Sequence, residues 1–120
     1  MRWLVDGMNV IGSRPTGWWR DRPGAMRQLT RALEDFARAS GEHVTVVFDG
    51  EPFELSSDAI EVRFASRRGA DAADDDIAAL AREDAEDLTV VTSDSELARR
   101  VQAAGASSVG AGAFRRRLEG

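Results

Sequence analysis

Three apolar runs of this sequence each end on an aspartate. "RWLVDG" reaches Asp6, "VTVVFDG" reaches Asp49 and "LTVVTSD" reaches Asp94, while residues 71–76 read "DAADDD". Carboxylates gathered in one crevice repel one another unless a cation neutralises them. Oxygen ligands, in a chain with no cysteine and one histidine, favour Mg²⁺ or Mn²⁺. Two such ions would activate a water and stabilise the leaving oxygen of a phosphodiester.

The pattern of secondary structure explains how these acids would meet. Strands are predicted at 2–5, 43–49, 60–66, 88–93 and 107–111, and helices at 23–41, 71–84, 95–105 and 113–120. This alternation predicts an α/β fold with a parallel sheet and helices on both faces. The exception is the link between the second and third strands, which is expected to contain only a loop.

In such a sheet, ligands bind beyond the carboxyl ends of the strands. Asp6, Asp49 and Asp94 would therefore face one crevice, and Asp74 and Asp75 would join them from the first turns of a helix that begins near residue 71. Gly7 and Gly50 (the residues behind two of these acids) would let the backbone turn sharply there.

Each acid also has an ordinary structural explanation. Asp71 and Asp94 would each serve as the N-cap of a helix, and residues 74–76 would favour the positive end of a helix dipole. Acids at three strand ends, together with a doublet, are harder to explain by capping alone.

Composition bounds the remaining choices. The chain has 120 residues and a net charge of -5, which fits one domain spanning residues 1–120. We expect a cytoplasmic protein, since the chain has no cysteine, no recognisable signal peptide and no apolar run of transmembrane length. An acidic total argues against nucleic acid, but all sixteen basic residues are arginines, whose forked guanidinium groups suit phosphate.

Several of these arginines are clustered along the chain. The clusters are Arg14, Arg20, Arg22 and Arg27, then Arg67 and Arg68, and last Arg115, Arg116 and Arg117. Trp18 and Trp19 stand in the first cluster, where one is predicted to be exposed and to stack on bases. The alternative is that at least one of them covers the first long helix. His43 opens a strand, at the wrong end for the acids, and is expected to be structural.

The ordered set of motifs resembles the NYN domains of the PIN-like nuclease group, most closely the YacP-like branch. The matching segments are "VDGMNVI", "VVFDG", "ADDDI", "VVTSD" and "GASSVGAGAF". The resemblance implies a PIN-like three-layer sandwich whose central parallel sheet has the order 3-2-1-4-5. It also implies a metal-dependent ribonuclease, with RNA as its substrate and the ribosome as a candidate partner.

Carried over by position, Asp6, Asp74, Asp75 and Asp94 match the acidic site, with Asn9 and Asp49 beside it. The resemblance and the sequence together predict five metal ligands, Asp6, Asp49, Asp74, Asp75 and Asp94. All of these except Asp49 are also expected to be catalytic. The residues expected to bind substrate are Asn9, Ser93, Arg14, Arg20, Arg68, Trp18 and Trp19. The register of the doublet is open, so Asp71 or Asp76 would share its role.

We expect an endoribonuclease that leaves 5′-phosphate and 3′-hydroxyl ends, because water would attack rather than the 2′-hydroxyl. An RNA-binding module of the same fold, with little or no catalysis, is the alternative. A response-regulator phosphoacceptor domain would need a lysine, and the chain has none. A haloacid-dehalogenase phosphatase would need a D-x-D after the first strand. The oligomeric state is open, a homodimer included, and no membrane partner is expected.

Overall fold

A computed structural model of the chain describes residues 1–69 and 71–120. Its five strands form one parallel sheet in the order β3-β2-β1-β4-β5. The strands are β1 (Arg2–Asp6), β2 (His43–Phe48), β3 (Glu61–Phe64), β4 (Leu88–Val91) and β5 (Ser107–Val109). The predicted α/β class and the strand order 3-2-1-4-5 are confirmed.

In residues 1–69 and 71–120, five helices cover the sheet. They are α1 (Gly7–Ile11), α2 (Arg22–Ser40), α3 (Ala72–Glu83), α4 (Ser95–Ala103) and α5 (Ala111–Glu119), with a short 3₁₀ turn at Trp18–Arg20. The sequence reading missed α1, which is too short for a helical periodicity to emerge. It placed α2 well, since Asp21 caps its start and Gly41, with φ 71°, ends it.

Two apolar layers bind the helices to the sheet. Trp3 and Val5 belong to the core shared with α1, α2 and α5, whereas Leu4 between them belongs to the core shared with α3 and α4. This follows from the alternation of side chains along a strand, and it produces the expected three layers.

The order of the strands reverses between β1 and β4, and the region beyond the carboxyl ends of these two strands is called the crevice. The chain leaves β1 towards β2 on one side, and β4 pairs with the other side of β1. Such a reversal is where ligands bind in open α/β sheets. The link from β2 to β3 contains no helix, as predicted, and its residues Phe53 and Leu55 pack against the core on the α2 side. Within the described ranges, none of the helices has both the length and the apolar character that crossing a bilayer demands.

Candidate active site

Asp6 ends β1 and is buried, with only 5% of its surface exposed. Thr92 donates a hydrogen bond from its Oγ1 to Asp6 Oδ2 at 3.0 Å, and the same hydroxyl oxygen accepts from the backbone N–H of Asp94 at 3.1 Å. Burial raises the pKa of Asp6 to about 7. The hydrogen bond from Thr92 opposes the rise, and the negative charges of Asp74 and Asp49 add to it.

Asp74 lies in the first turn of α3 and faces the same crevice. Burial raises its pKa to about 6, and the negative charges of Asp94, Asp71 and Asp49 contribute. The negative charge of Asp74 on α3 thus acts on Asp6 at the end of β1. The chain folds so that β1, β2, α3 and the start of α4 each contribute an acid to one place.

Asp49 and Asp94 also serve as helix caps. Asp49 Oδ1 accepts from the backbone N–H of Ala73 at 3.0 Å, at the start of α3. Asp94 Oδ1 accepts from Glu96 and Leu97 at 2.9 and 3.1 Å, at the start of α4. The capping interpretation thus holds for Asp94, although its charge still acts on Asp74.

Asp71 does not cap through its side chain. It occupies the N-cap position of α3 in a left-handed conformation, with φ 66°, and makes no capping hydrogen bond. Asp49 caps this helix from the sheet instead. Asp71 remains close enough for its charge to raise the pKa of Asp74.

The structure does not bring Asp75 together with the other acids. Its carboxylate pairs with Arg67 and, at 3.1 Å, with Arg100. Asp76 accepts from the backbone N–H and the hydroxyl of Ser66 at 2.6 and 2.8 Å. Consecutive residues of an α-helix point about 100° apart, so only one of the three adjacent acids faces the crevice. On this geometry the facing residue is Asp74.

Asn9 and Ser93 lie at the rim of the crevice. Asn9 Oδ1 accepts from the backbone N–H of Ser93 at 2.7 Å, and Ser93 Oγ accepts from the N–H of Ala111 at 2.8 Å. These contacts tie α1 to the loop after β4 and that loop to the first residue of α5. Both side chains thereby hold the elements that surround the acids.

Gly7 and Gly50, which follow Asp6 and Asp49, are required for different structural reasons. Gly50 has φ 101°, as a sharp turn requires. Gly7 begins α1, and a Cβ placed there would lie 2.5 Å from ring carbons of the buried Phe48. Gly7 is therefore needed for close packing between α1 and β2, which differs from the expectation of a sharp turn.

The fold places the side chains predicted to bind substrate in different surroundings. Trp19 is 56% exposed, Trp18 is partly buried, and their rings meet edge to face at 5.9 Å, so the prediction of one exposed tryptophan is confirmed. Arg20 lies over the ring of Trp19 at 5.9 Å.

Arg14 and Arg68, the other two arginines predicted to bind substrate, pair with acidic side chains. Arg14 pairs with Glu119 at 2.7 Å. Arg68 lies 3.4 Å from Glu51 and donates to the carbonyl of Ala65 at 2.9 Å. His43 begins β2, at the opposite end of the sheet from the acids, as expected.

Sequence reasoning missed two residues of the site. Thr92 is buried and joins Asp6 to the backbone of Asp94; its place just after β4 was the available signal. Arg22 reaches the edge of the crevice, since a Cβ on Gly50 would lie 3.4 Å from its Nη2. No periodicity or motif marked Arg22 among the neighbouring arginines.

The carboxylates have the chemistry of a hard-cation site but are not assembled into one. Across residues 1–69 and 71–120, no three acidic or histidine side chains are arranged as a ready-made metal-ion site. Like charges that are not neutralised repel, which is consistent with the raised pKa values of Asp6 and Asp74.

Comparison with known proteins agrees with the observed fold. The model of the YacP-like NYN domain family matches residues 3–120. The crystal structure of Rae1 (YacP) from Bacillus subtilis superposes with a TM-score of 0.78, and that of its W164L mutant with 0.81. Each is 27% identical, over 99% of this chain and 74% of the other. None of the curated protein sequences matches this chain.

Proposed function

The chain belongs to the YacP-like NYN domain family, which has a PIN-like nuclease fold, and we propose that it is a metal-dependent endoribonuclease. The reaction would be hydrolysis of RNA phosphodiester bonds to 5′-phosphate and 3′-hydroxyl ends. One observation carries the proposal: Asp6 is buried at the strand-order reversal, and its pKa is raised to about 7 by that burial and by the charges of Asp74 and Asp49. A fold that keeps such a costly group at a ligand-binding edge favours a cationic partner.

Asp6, Asp74 and Asp94 would hold Mg²⁺ or Mn²⁺, with Asp49 at the side. The donor set fits, because these ions prefer carboxylate oxygens. When bound, the metal supplies positive charge that activates water and stabilises the leaving oxygen of the phosphodiester. Because no ready-made site exists in the described ranges, binding would draw the carboxylates closer together.

The chain's own residues would position the RNA. Asn9 uses its side-chain oxygen to accept from Ser93, which leaves its NH₂ group to donate to a phosphate oxygen. The hydroxyl of Ser93, whose oxygen accepts from Ala111, would donate to the same phosphate. Thr92 would hold the carboxylate of Asp6 in place through its hydrogen bond. Water, rather than the 2′-hydroxyl, would attack the phosphorus, and the bond from phosphorus to the 3′ oxygen would break. The 3′ oxygen would leave as a hydroxyl, and the phosphate would stay on the 5′ end.

A specific observation favours the alternative of an RNA-binding module with little or no catalysis. Asp94 is already engaged as the cap of α4, and the described acids do not form a ready-made ion site. In that case the acids would serve the fold alone.

A cleavage assay distinguishes the two functions. Mixed RNAs are incubated with the protein in Mn²⁺, Mg²⁺ or EDTA, and the chemistry of the new ends is determined. We expect cleavage only with metal, loss of cleavage in Asp6→Asn, and unchanged cleavage in Asp35→Asn, an exposed acid on α2. Absence of cleavage under every condition by folded protein would favour the binding module.

A further inference from the structure

Beside Asp6, Asp49, Asp74 and Asp94, which together are called the acidic centre, lies a surface with arginines that have no carboxylate partner among the described residues. Arg20 precedes α2, Arg22 is its first residue, and Arg27 and Arg31 lie on its exposed side. These four residues are called the arginine face. In the part of the chain that the structure describes, none of the four takes part in an ion pair. Acids outnumber arginines by 21 to 16 in this chain, so carboxylates are not scarce.

Two recesses adjoin the arginine face and share Trp18 as a wall. The larger recess, of about 370 Å³, is lined by Arg27 and Arg31. The smaller, of about 210 Å³, lies between α1, α2 and α5 and is lined by Arg14 and Arg115 above apolar side chains. Pockets for drug-sized ligands are commonly ~300–1,000 Å³, so the smaller recess lies below this range and the larger one lies near its lower end. Both recesses are of a size that suits a single base or a phosphate.

The arginine face is continuous with the acidic centre. Arg22 reaches within 3.4 Å of where a Cβ on Gly50 would lie, directly after Asp49. On the other side, α1 starts after Asp6 and its last residue, Ile11, lines the smaller recess. Five residues of helix correspond to about 7.5 Å. A chain whose phosphate sits at the acids would therefore reach the recess with a neighbouring nucleotide.

Aromatic rings accompany these arginines. The guanidinium of Arg22 lies 5.8 Å from the ring of Trp18, and that of Arg20 lies 5.9 Å from the ring of Trp19. Positive charge for phosphates together with aromatic surface for bases is the combination that binds single-stranded nucleic acid.

The acids in this area are already engaged. Asp21 uses Oδ1 to accept from the N–H of Gly24 at 3.0 Å, and Glu119 pairs with Arg14 at 2.7 Å. Two acids, Asp21 and Glu119, line the recesses together with four arginines, Arg14, Arg27, Arg31 and Arg115. Positive charge therefore exceeds negative charge there, in contrast to the net charge of -5 of the whole chain.

We propose that the arginine face and its two recesses bind the single-stranded segment of RNA that flanks the phosphate at the acidic centre, with an unpaired base against Trp18. The identity of the substrate as RNA and the position of its phosphate at the acidic centre rest on the proposed function. A single strand is required because the bases of an A-form duplex are stacked inside the helix and do not enter a recess.

The test measures binding without cleavage. The affinity of a labelled single-stranded RNA is determined by fluorescence anisotropy in EDTA over a series of salt concentrations. The variant combines Arg27→Gln with Arg31→Gln. The matched controls are Arg38→Gln on α2 and Arg82→Gln on α3, which are also exposed arginines without an ion pair among the described residues. Thermal melting establishes that each variant is folded.

We expect the double variant to bind RNA more weakly than wild type. The negative slope of the logarithm of the association constant against the logarithm of the salt concentration should become shallower by ~0.7 for each arginine lost. The controls should match wild type. Trp18→Ala should weaken binding at least about fivefold, and a duplex of the same sequence should bind less tightly than the single strand. If a folded double variant keeps the wild-type affinity and slope, the proposal is overturned. Equal affinity for duplex would overturn its single-strand part.

Cleavage separates this proposal from the proposed function. If the protein binds single-stranded RNA through the arginine face but does not cleave it with Mg²⁺ or Mn²⁺, the proposed binding surface is supported and the proposed nuclease activity is contradicted. If the double variant keeps both metal-dependent cleavage and wild-type binding, the proposed nuclease activity is supported and the proposed binding surface is contradicted.

Discussion

At the scale of single residues, Asp6 combines burial with neighbouring negative charge. Its side chain is 5% exposed and accepts a hydrogen bond from Thr92. Its pKa of about 7 in the folded chain lies above the ordinary value of 3.8. Between these two values the folded state keeps a proton that the unfolded state has released. The free energy of unfolding contributed by Asp6 is therefore present at low pH and falls as the pH rises towards 7.

The first prediction concerns the pH dependence of stability without metal. Asparagine has no charge to bury and still accepts from Thr92, so Asp6→Asn should gain stability relative to wild type as pH rises. Between pH 5 and pH 8 the gain should be about 2–3 kcal/mol. Urea unfolding of both proteins in EDTA, at several pH values, measures it. Parallel pH curves would show that Asp6 titrates normally in the folded chain.

At the scale of elements, the start of α4 serves both the fold and the site. Asp94 accepts from two backbone N–H groups of the first turn, and Thr92 connects this turn to Asp6 at the end of β1. A capping side chain contributes about 0.5–2 kcal/mol, and asparagine caps about as well as aspartate.

The second prediction separates these two roles of Asp94. Asp94→Asn should keep nearly wild-type stability, because the amide oxygen still caps α4, whereas Asp94→Ala should lose about 1 kcal/mol. On the proposed function, both variants should lose metal-dependent cleavage. Chemical unfolding and the RNA assay, run on the same preparations, decide the matter. Full activity in a stable Asp94→Asn protein would limit Asp94 to capping.

At the scale of the whole molecule, charge is sorted by region. Acids meet at the crevice, arginines without an ion pair among the described residues lie beside it, and Asp75 of α3 pairs with Arg67 and with Arg100 of α4. Two adjacent aspartates of one helix therefore differ in kind, since Asp74 is repelled by its neighbours and Asp75 is attracted.

The third prediction compares the melting of Asp74→Asn and Asp75→Asn at pH 8. In EDTA, Asp74→Asn should melt above wild type because a repulsion is removed. Asp75→Asn should melt slightly below, since exposed ion pairs contribute about 0–1 kcal/mol each. Saturating Mn²⁺, at 100 times its dissociation constant, should add ~2.7 kcal/mol to wild type and to Asp75→Asn, but little to Asp74→Asn. If Mn²⁺ shifts none of the three melting curves, the result contradicts the metal site and favours the alternative of an RNA-binding module with little or no catalysis.

The sequence alone determined the α/β class and the meeting of Asp6, Asp49 and Asp94 at one edge. It could do so because buried strands read as apolar runs, and parallel strands place their carboxyl ends together. The strand order came from the ordered motifs, which a family shares.

The tertiary structure decided which acid of residues 71–76 faces the crevice. A run of adjacent aspartates looks uniform in a sequence, but helical rotation sends Asp74 to the acids, Asp75 to two arginines and Asp76 to Ser66. It also decided which arginines stay without a carboxylate, because pairs such as Arg14 with Glu119 join residues far apart in the chain. Such long-range pairing depends on distances between elements, and local sequence patterns carry no record of them.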